Sequence, residues 1–302
     1  MTAPHIVCIG NGVIDQIFNL ASPLETGGKI DVRAYRESGG GPAATAAVTV
    51  CRLGGRASWI GRVGDDATGQ SLLTLMSGYG VDVSHVSVLD KGRTTRAIVL
   101  VDPDGERVIV VDRSGLPAEA PVRLEALKGA QALLADTRWP AGAKMALAAA
   151  AVAKIPTVLD ADGGAPDVLR ELASKAQHVV FSDQGLSDVA GTGSPQDRLL
   201  SLTPLMANTV TAVTLGAVGS LWRIGATLTS IPALAVQARD TTGCGDVFHG
   251  AYTLAIAEGR PPLKAARFAS IAAGLKAEHG QGWDGIPDRA SVDAIVAKEQ
   301  AA

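Results

Sequence analysis

The run Asp240–Gly250 reads Asp-Thr-Thr-Gly-Cys-Gly-Asp-Val-Phe-His-Gly, a small-residue turn followed at once by an acid. Gly243, Cys244 and Gly245 can turn tightly enough for their backbone N–H groups to converge on an anion. The apolar pattern from Val247 to Ala257 predicts a helix, so this turn lies at a helix N-terminus. There the N–H groups are unpaired and the helix dipole favours negative charge. Asp246 sits at the helix opening. A carboxylate is misplaced for binding a phosphate, but it is well placed to accept the proton of a hydroxyl that attacks one. His249, three residues on, shares the helix face of Asp246, where a histidine is more often structural.

Three further segments could serve the same chemistry. Gly39, Gly40 and Gly41 precede Pro42 and an apolar helix, and consecutive glycines let a ligand approach the backbone closely. Asp15 follows the first strand, where a carboxylate can accept two hydrogen bonds from vicinal hydroxyls. Thr214, Gly216 and Gly219 close a β-rich run, and such small residues allow a nucleotide's phosphate and ribose to lie against the backbone.

These residues must be positioned by a chain of 302 residues that is 47% hydrophobic with net charge −3. That suffices for one large α/β domain, residues 1–302. The near-neutral charge, the absence of a basic run and 4% aromatics argue against nucleic acid as a partner. Cys8, Cys51 and Cys244 show no metal-ligand spacing, which is read as free thiols in a reducing cytoplasm. No apolar run is long enough to cross a bilayer, and the N-terminus shows no secretion signal.

Strands are expected at His5–Gly10, Ser58–Val63, Leu133–Asp136, Thr157–Asp160, His178–Ser182 and Asn208–Thr214, and a hairpin-like piece at Gly219–Ile231. Helices are expected at Ala43–Leu53, Gly69–Tyr79, Gly142–Ala153, Pro166–Ala173 and, last, Leu263–Ala277. Repeating strand–helix units imply a mostly parallel sheet covered on both faces. Residues 15–36 and 95–112 break that rhythm. The second contains the hairpin signal Asp102–Gly105, and together they predict a small β-lid. Exposed strand edges on such a lid suggest pairing with a second copy.

The run at 240–250 closely resembles the second signature of the PfkB (ribokinase-like) carbohydrate kinases, D-T-x-G-A-G-D, with Cys244 where alanine is common. The glycines at 39–41 resemble the first signature, which holds sugar hydroxyls, although Ala44 stands where ribokinase proper has asparagine. The resemblance spans Gly10 to Pro287. It implies a ribokinase-like three-layer α/β/α fold with a small β-lid, ATP and a sugar as ligands, and phosphoryl transfer to a primary hydroxyl. In that reading Asp246 is the base, with Gly243, Cys244 and Gly245 as the anion hole. Asp15 and Gly39–Gly41 hold the sugar, and Thr214, Gly216, Gly219, Ser182 and His279 serve the nucleotide.

Ser182-Asp-Gln-Gly185 replaces the family's N-x-x-E, which helps arrange magnesium, so Asp160 and Asp162, and more weakly Asp183, stand as substitutes toward Mg2+. Asp240 and Thr242, with the Gly280–Gly285 backbone, resemble the monovalent-cation (K+) site of some members. Four segments, 39–47, 134–139, 181–186 and 245–250, look like the bacterial 6-deoxy-6-sulfofructose kinases. That subgroup phosphorylates the C1 hydroxyl, and it implies Lys29 and Arg138 as readers of the sulfonate. Val111-Asp112 departs from the subgroup, and a carboxylate there would repel a sulfonate, which leaves a plain ketohexose, a sugar phosphate or another hydroxylated acid open; fructose, another ketohexose, ribose or a nucleoside are the alternative acceptors. A nicotinamide oxidoreductase is disfavoured, because no G-x-G-x-x-G follows the first strand. A non-catalytic sugar sensor is the remaining competitor.

Overall fold

The computed structural model describes residues 3–24, 27–104, 106–206 and 209–301. In chain order the elements begin with β1 (His5–Ile9), β2 (Val13–Leu20), β3 (Val32–Gly40), α1 (Pro42–Arg52), β4 (Arg56–Ile60), β5 (Arg62–Gly64) and α2 (Ala67–Gly78). Next come β6 (Ser87–Leu89), β7 (Arg96–Val101), β8 (Arg107–Asp112), β9 (Ala132–Asp136), α3 (Pro140–Ala153), β10 (Thr157–Ala161) and α4 (Pro166–Ala173). Then follow β11 (His178–Ser182), α5 (Asp183–Ala190), α6 (Pro195–Ser201), β12 (Val210–Thr214), β13 (Ser220–Ile224) and β14 (Thr227–Ile231). The chain closes with α7 (Cys244–Ala257), α8 (Pro262–His279) and α9 (Arg289–Ala301).

Eight strands form the main sheet in the order β14-β13-β12-β11-β10-β9-β1-β4. The six from β12 to β4 run parallel, and β13 and β14 add an antiparallel edge. The strands read as near-continuous apolar runs because both faces are covered. Successive residues alternate between two cores. Ile6 and Cys8 face the core built on α1, α7 and α8, whereas Val7 and Ile9 face the one built on α3 to α6. Five of the helices, α1, α3, α4, α6 and α8, open with proline in the first turn, where its missing N–H costs nothing.

Chain order reverses between β1 and β9: β4 lies on one side of this pair and β10 to β14 on the other. A crevice outside the carboxyl ends of the strands opens at such a point. The second sheet, β3-β2-β7-β8, is mostly antiparallel with a parallel β2–β7 pair. It arises from the two segments that did not fit the strand–helix rhythm.

Some expectations shift. The strand read at Ser58–Val63 divides at Gly61, where a Cβ would meet the Trp59 ring at 2.1 Å. The chain turns there from the main sheet into β5, which pairs with β6. α8 is not the last helix. In α9 only Val292 is fully buried, so no apolar stripe announced it. The helices α5 and α6 also went unread; each is short and opens with a serine N-cap. Gly105 and Asn208, part of the expected hairpin signal and strand, lie outside the described residues.

Candidate active site

The geometry starts from the packing of α1 against α7. A Cβ on Gly250 would come within 2.7 Å of the Ala46 carbonyl, so glycine lets the two helix backbones approach closely. This contact sets the turn before α1 beside the turn before α7, bringing Gly39–Gly41 and Gly243–Asp246 to one place. Gly243 adopts φ 75°, the left-handed conformation, and caps α7. Gly41, at φ 90°, caps α1. Gly39 and Gly40 are glycines for another reason: a Cβ would strike the Trp283 ring at 2.2 Å or the Asp15 carboxylate at 2.3 Å. Trp283 is itself fixed by donating to Thr45 Oγ1 at 2.9 Å.

Two cavities adjoin this turn. The first, of about 410 Å³, lies between the second sheet and the ends of α1, α7 and α8. It is lined by Asp15, Gly39–Gly41, Gly243 and Asp246, by Ile17, Val99 and Val101 of the second sheet, and by the cations Arg36, Arg107, Arg239 and Lys276. The other, of about 400 Å³, is mostly apolar. Thr214, Gly216 and Gly219 line it together with Leu234, Val236, Phe248, Ala273, Cys244 and Gly245.

Within the turn, the Cys244 N–H donates to the Thr241 carbonyl at 3.2 Å. This corrects its expected place in the anion hole, because the bond that closes the turn uses that donor. The Gly243 and Gly245 N–H groups have no backbone acceptor among the described residues. Burial pushes the Cys244 thiol up to about 11, so it is a weak nucleophile. His249 is buried beneath the turn, where its Nδ1–H donates to the Gly245 carbonyl at 2.7 Å, while Nε2 lies 3.3 Å from the Val180 carbonyl. Burial lowers its affinity for a proton. It is a buttress for the turn.

The carboxylates divide by environment. Burial, and next the Asp160 carboxyl, push Asp246 well above the usual range. Burial, and next the nearby Asp162 carboxyl, also raise Asp160, which is fully buried with His249 Nδ1 3.4 Å from its Oδ2. Asp15 is raised to about 6 by burial, against the opposing field of Arg36. Asp136, at the end of β9, was not read as functional from sequence. It accepts the N–H groups of Asn11 (2.7 Å), Ala43 (3.1 Å) and Arg138 (2.8 Å), tying β1's exit, the start of α1 and its own loop together at the sheet's reversal point. A Cβ on Gly10 would lie 2.1 Å from this carboxyl, which explains that glycine.

Several expected residues lie elsewhere. Lys29 is exposed in the connection between β2 and β3 and does not line the cavity. Arg138 is engaged by Asp162 at 2.7 Å, also outside the cavity. Asp112 is held by Ser114 and Arg93 and lines neither cavity. His279 lines the first cavity rather than the apolar one, with Nδ1 donating to the Gly285 carbonyl. Ser182 caps α5 by accepting the Gly185 N–H at 2.9 Å and lines neither cavity. Asp183 is paired with Arg198 at 2.5 Å.

Asp240 accepts the Thr242 N–H at 2.9 Å and pairs with Arg107 of β8 at 3.1 Å. Arg107 also donates to Thr242 Oγ1, and Lys276 Nζ donates to the Thr242 carbonyl at 3.1 Å. Burial raises the Asp240 carboxyl, but the Thr242 hydrogen bonds and the two nearby cations hold it below the usual range.

Comparison with known proteins agrees with this layout. A family model described as pfkB family carbohydrate kinase matches residues 3–289. The ribokinase of Arabidopsis thaliana is 27% identical over 96% of this chain and 80% of its own length. Fructokinase-1 of Oryza sativa subsp. japonica is 30% identical over 72% of this chain and 73% of its own. A crystal structure of an Agrobacterium tumefaciens protein, provisionally assigned as a ribokinase, superposes with a TM-score of 0.93 at 33% identity over 99% of each chain. The structure of Arabidopsis thaliana ribokinase complexed with ribose and ATP shares the fold with a TM-score of 0.87 at 24% identity, covering 98% of this chain and 99% of that one. With nearly its whole length matched and a ribokinase-like α/β fold, this chain belongs to the pfkB family of carbohydrate kinases, enzymes that transfer phosphate to a hydroxyl.

Proposed function

We propose that the protein transfers the γ-phosphoryl group of ATP to a primary hydroxyl of a sugar, with the sugar in the first cavity and the nucleotide in the apolar one. The observation that carries this reading is that the two cavities meet at one turn. Gly243 and Asp246 line one cavity, and Cys244 and Gly245 line the other. A phosphoryl group held there faces an acceptor hydroxyl on one side and the nucleotide on the other. Asp246 takes the hydroxyl proton, and the Gly243 and Gly245 N–H groups stabilise charge on the transferring group. Asp15 binds sugar hydroxyls, and Gly39–Gly41 let the sugar lie against backbone. The second sheet acts as a lid that excludes water, in a single domain spanning 1–302.

A magnesium ion, when bound with the nucleotide, neutralises charge on the phosphates. Among the described residues no group of three or more His, Cys, Asp or Glu side chains forms a metal cage. Phosphate oxygens and water would therefore supply most of its ligands. Asp162 and Asp183 are committed to arginines, and Asp160 is buried beside His249 and lines neither cavity, so none of the three carboxylates is free at the cavities to hold a metal-bound water.

The reaction has a pH signature. Below its raised pKa, Asp246 is protonated and cannot accept a proton, so kcat/KM falls as pH drops through that value. The acid limb of the pH–rate profile is expected above the ordinary aspartate value of about 4. A rate still constant down to that value would contradict the assignment.

For the acceptor we propose 6-deoxy-6-sulfofructose, phosphorylated at C1. Support for an anionic sugar comes from Arg36 and Arg239, which line the cavity without a carboxylate partner within salt-bridge distance among the described residues. They take the role expected of Lys29 and Arg138. The test is magnesium- and ATP-dependent turnover of sulfofructose, fructose, fructose 6-phosphate, ribose and adenosine. The highest kcat/KM is expected for sulfofructose, with Arg36→Ala weakening it by about 10-fold or more relative to fructose. A preference for fructose or ribose would overturn the sulfonate reading and keep the kinase. No turnover of any acceptor would favour a sugar sensor.

The second sheet has unpaired edges at β3 and β8 among the described residues, and it exposes Val32, Tyr35, Ile98, Val108, Ile109 and Val110. We place a homodimer contact there. Among the described residues no helix is long and apolar enough to cross a membrane. The free thiols and the need for ATP suit the cytoplasm.

A further inference from the structure

A lysine side chain with 1% exposure is unusual, since a buried ammonium needs strong partners to offset lost hydration. Lys276 has no carboxylate within ion-pair distance among the described residues. Its Nζ instead donates to the carbonyl of Thr242, the residue just before the anion-binding turn. It stands in the last turn of α8, where helix carbonyls favour a cation. The neighbouring backbone is pinned as well: the Arg239 and Asp240 N–H groups both donate to the Ala277 carbonyl.

A dissociable monovalent cation at this place would need oxygen ligands, and those of Asp240 and Thr242 are already engaged. The Thr242 carbonyl accepts from Lys276, Thr242 Oγ1 accepts from Arg107, and the Asp240 carboxylate accepts from Arg107 and the Thr242 N–H. The residues present therefore do not fit a K+ site as they stand.

We propose that Lys276 is a tethered replacement for a monovalent cation: its ammonium holds the Thr242 carbonyl, and so the Gly243–Gly245 turn, in the phosphate-binding conformation without added potassium. This rests on the kinase reading above. Lys276 acts as a positioning residue, because it works through the turn rather than on the reacting atoms. A fixed cation differs from a free one in that no concentration of salt loads or empties it.

The test compares wild type with Lys276→Ala in buffers containing potassium, ammonium or tetramethylammonium as the sole monovalent cation; the last is too large to enter. Wild-type kcat and melting temperature are expected to be the same in all three. Lys276→Ala is expected to lose about 10²-fold in kcat in tetramethylammonium. Potassium or ammonium should restore part of that loss in a saturable way and raise the variant's melting temperature by binding its folded form. Such rescue would not follow from a merely structural role.

Activation of the wild type by potassium would overturn the proposal, and so would a folded variant that neither cation rescues or stabilises. If Lys276→Ala does not fold in tetramethylammonium, folding in potassium alone supports the proposal and failure in both overturns it. If no sugar is phosphorylated at all, the kinase reading fails separately, and the melting-temperature comparison still decides whether Lys276 stands in for the ion.

Discussion

Replacing Asp246 by asparagine is expected to lower kcat by about 10²–10⁴-fold while ATP still binds. The asparagine side chain has nearly the same shape and can occupy the same space at the opening of α7. It cannot take a proton from the acceptor hydroxyl. The apolar cavity proposed for the nucleotide is lined by Thr214, Gly216, Leu234, Phe248 and Ala273, none of which changes. Calorimetric ATP binding should therefore persist, within a few-fold, in a protein that no longer turns over. Removing the charge also relieves the repulsion between Asp246 and the phosphates, so nucleotide affinity is expected to rise rather than fall. A variant that keeps more than about a tenth of the wild-type rate would defeat the role of base.

Asp136→Ala is expected to cost on the order of 3 kcal/mol of stability or more, and activity with it. Its carboxyl accepts three backbone N–H groups, from Asn11, Ala43 and Arg138. Those of Asn11 and Ala43 belong to the exit of β1 and the first turn of α1. Alanine leaves these donors without acceptors in a largely dry region, and an unmade buried hydrogen bond costs more than a made one contributes. The same loss frees Gly41 and its neighbours to shift, so kcat/KM should fall alongside the urea midpoint. An unchanged midpoint would mean that water replaces the carboxyl at no cost.

Comparing Asp136 with Asp246 shows what could be read in advance. Asp246 was legible because all that marks it is local: a glycine turn, an acid and an apolar helix within eleven consecutive residues. Gly39–Gly41 and Thr214–Gly219 were legible for the same reason, and the three segments do line adjoining cavities. The parallel sheet was legible from runs of apolar residues alternating with helical patterns. Asp136 was not, since two of its three partners, Asn11 and Ala43, come from other segments that only the sheet's reversal brings to it.

Position along the chain misled where a partner mattered. Arg138 looked like an anion reader until Asp162 was found beside it, and Ser182 looked like a nucleotide ligand although a helix N-terminus uses its oxygen. His279 stands near the last glycine loop, as expected, but it faces the other cavity. Lys276 carries no mark in the sequence, because nothing in its own neighbourhood signals that Thr242 lies across the fold.

The two cavities share the turn before α7 but little else, and this separates what selection can change from what it cannot. In the proposed reaction, a substitution at Gly243 or Asp246 touches the phosphoryl transfer itself, whichever acceptor is used. Asp15, Ile17, Asn19, Arg36, Val99 and Val101 lie on the second sheet and line only the first cavity. Drift there can retune which acceptor is recognised while the grip on ATP stays intact. The architecture thus behaves as a fixed engine with an exchangeable tool head, and a search for altered sugar preference should be confined to β2, β3 and β7.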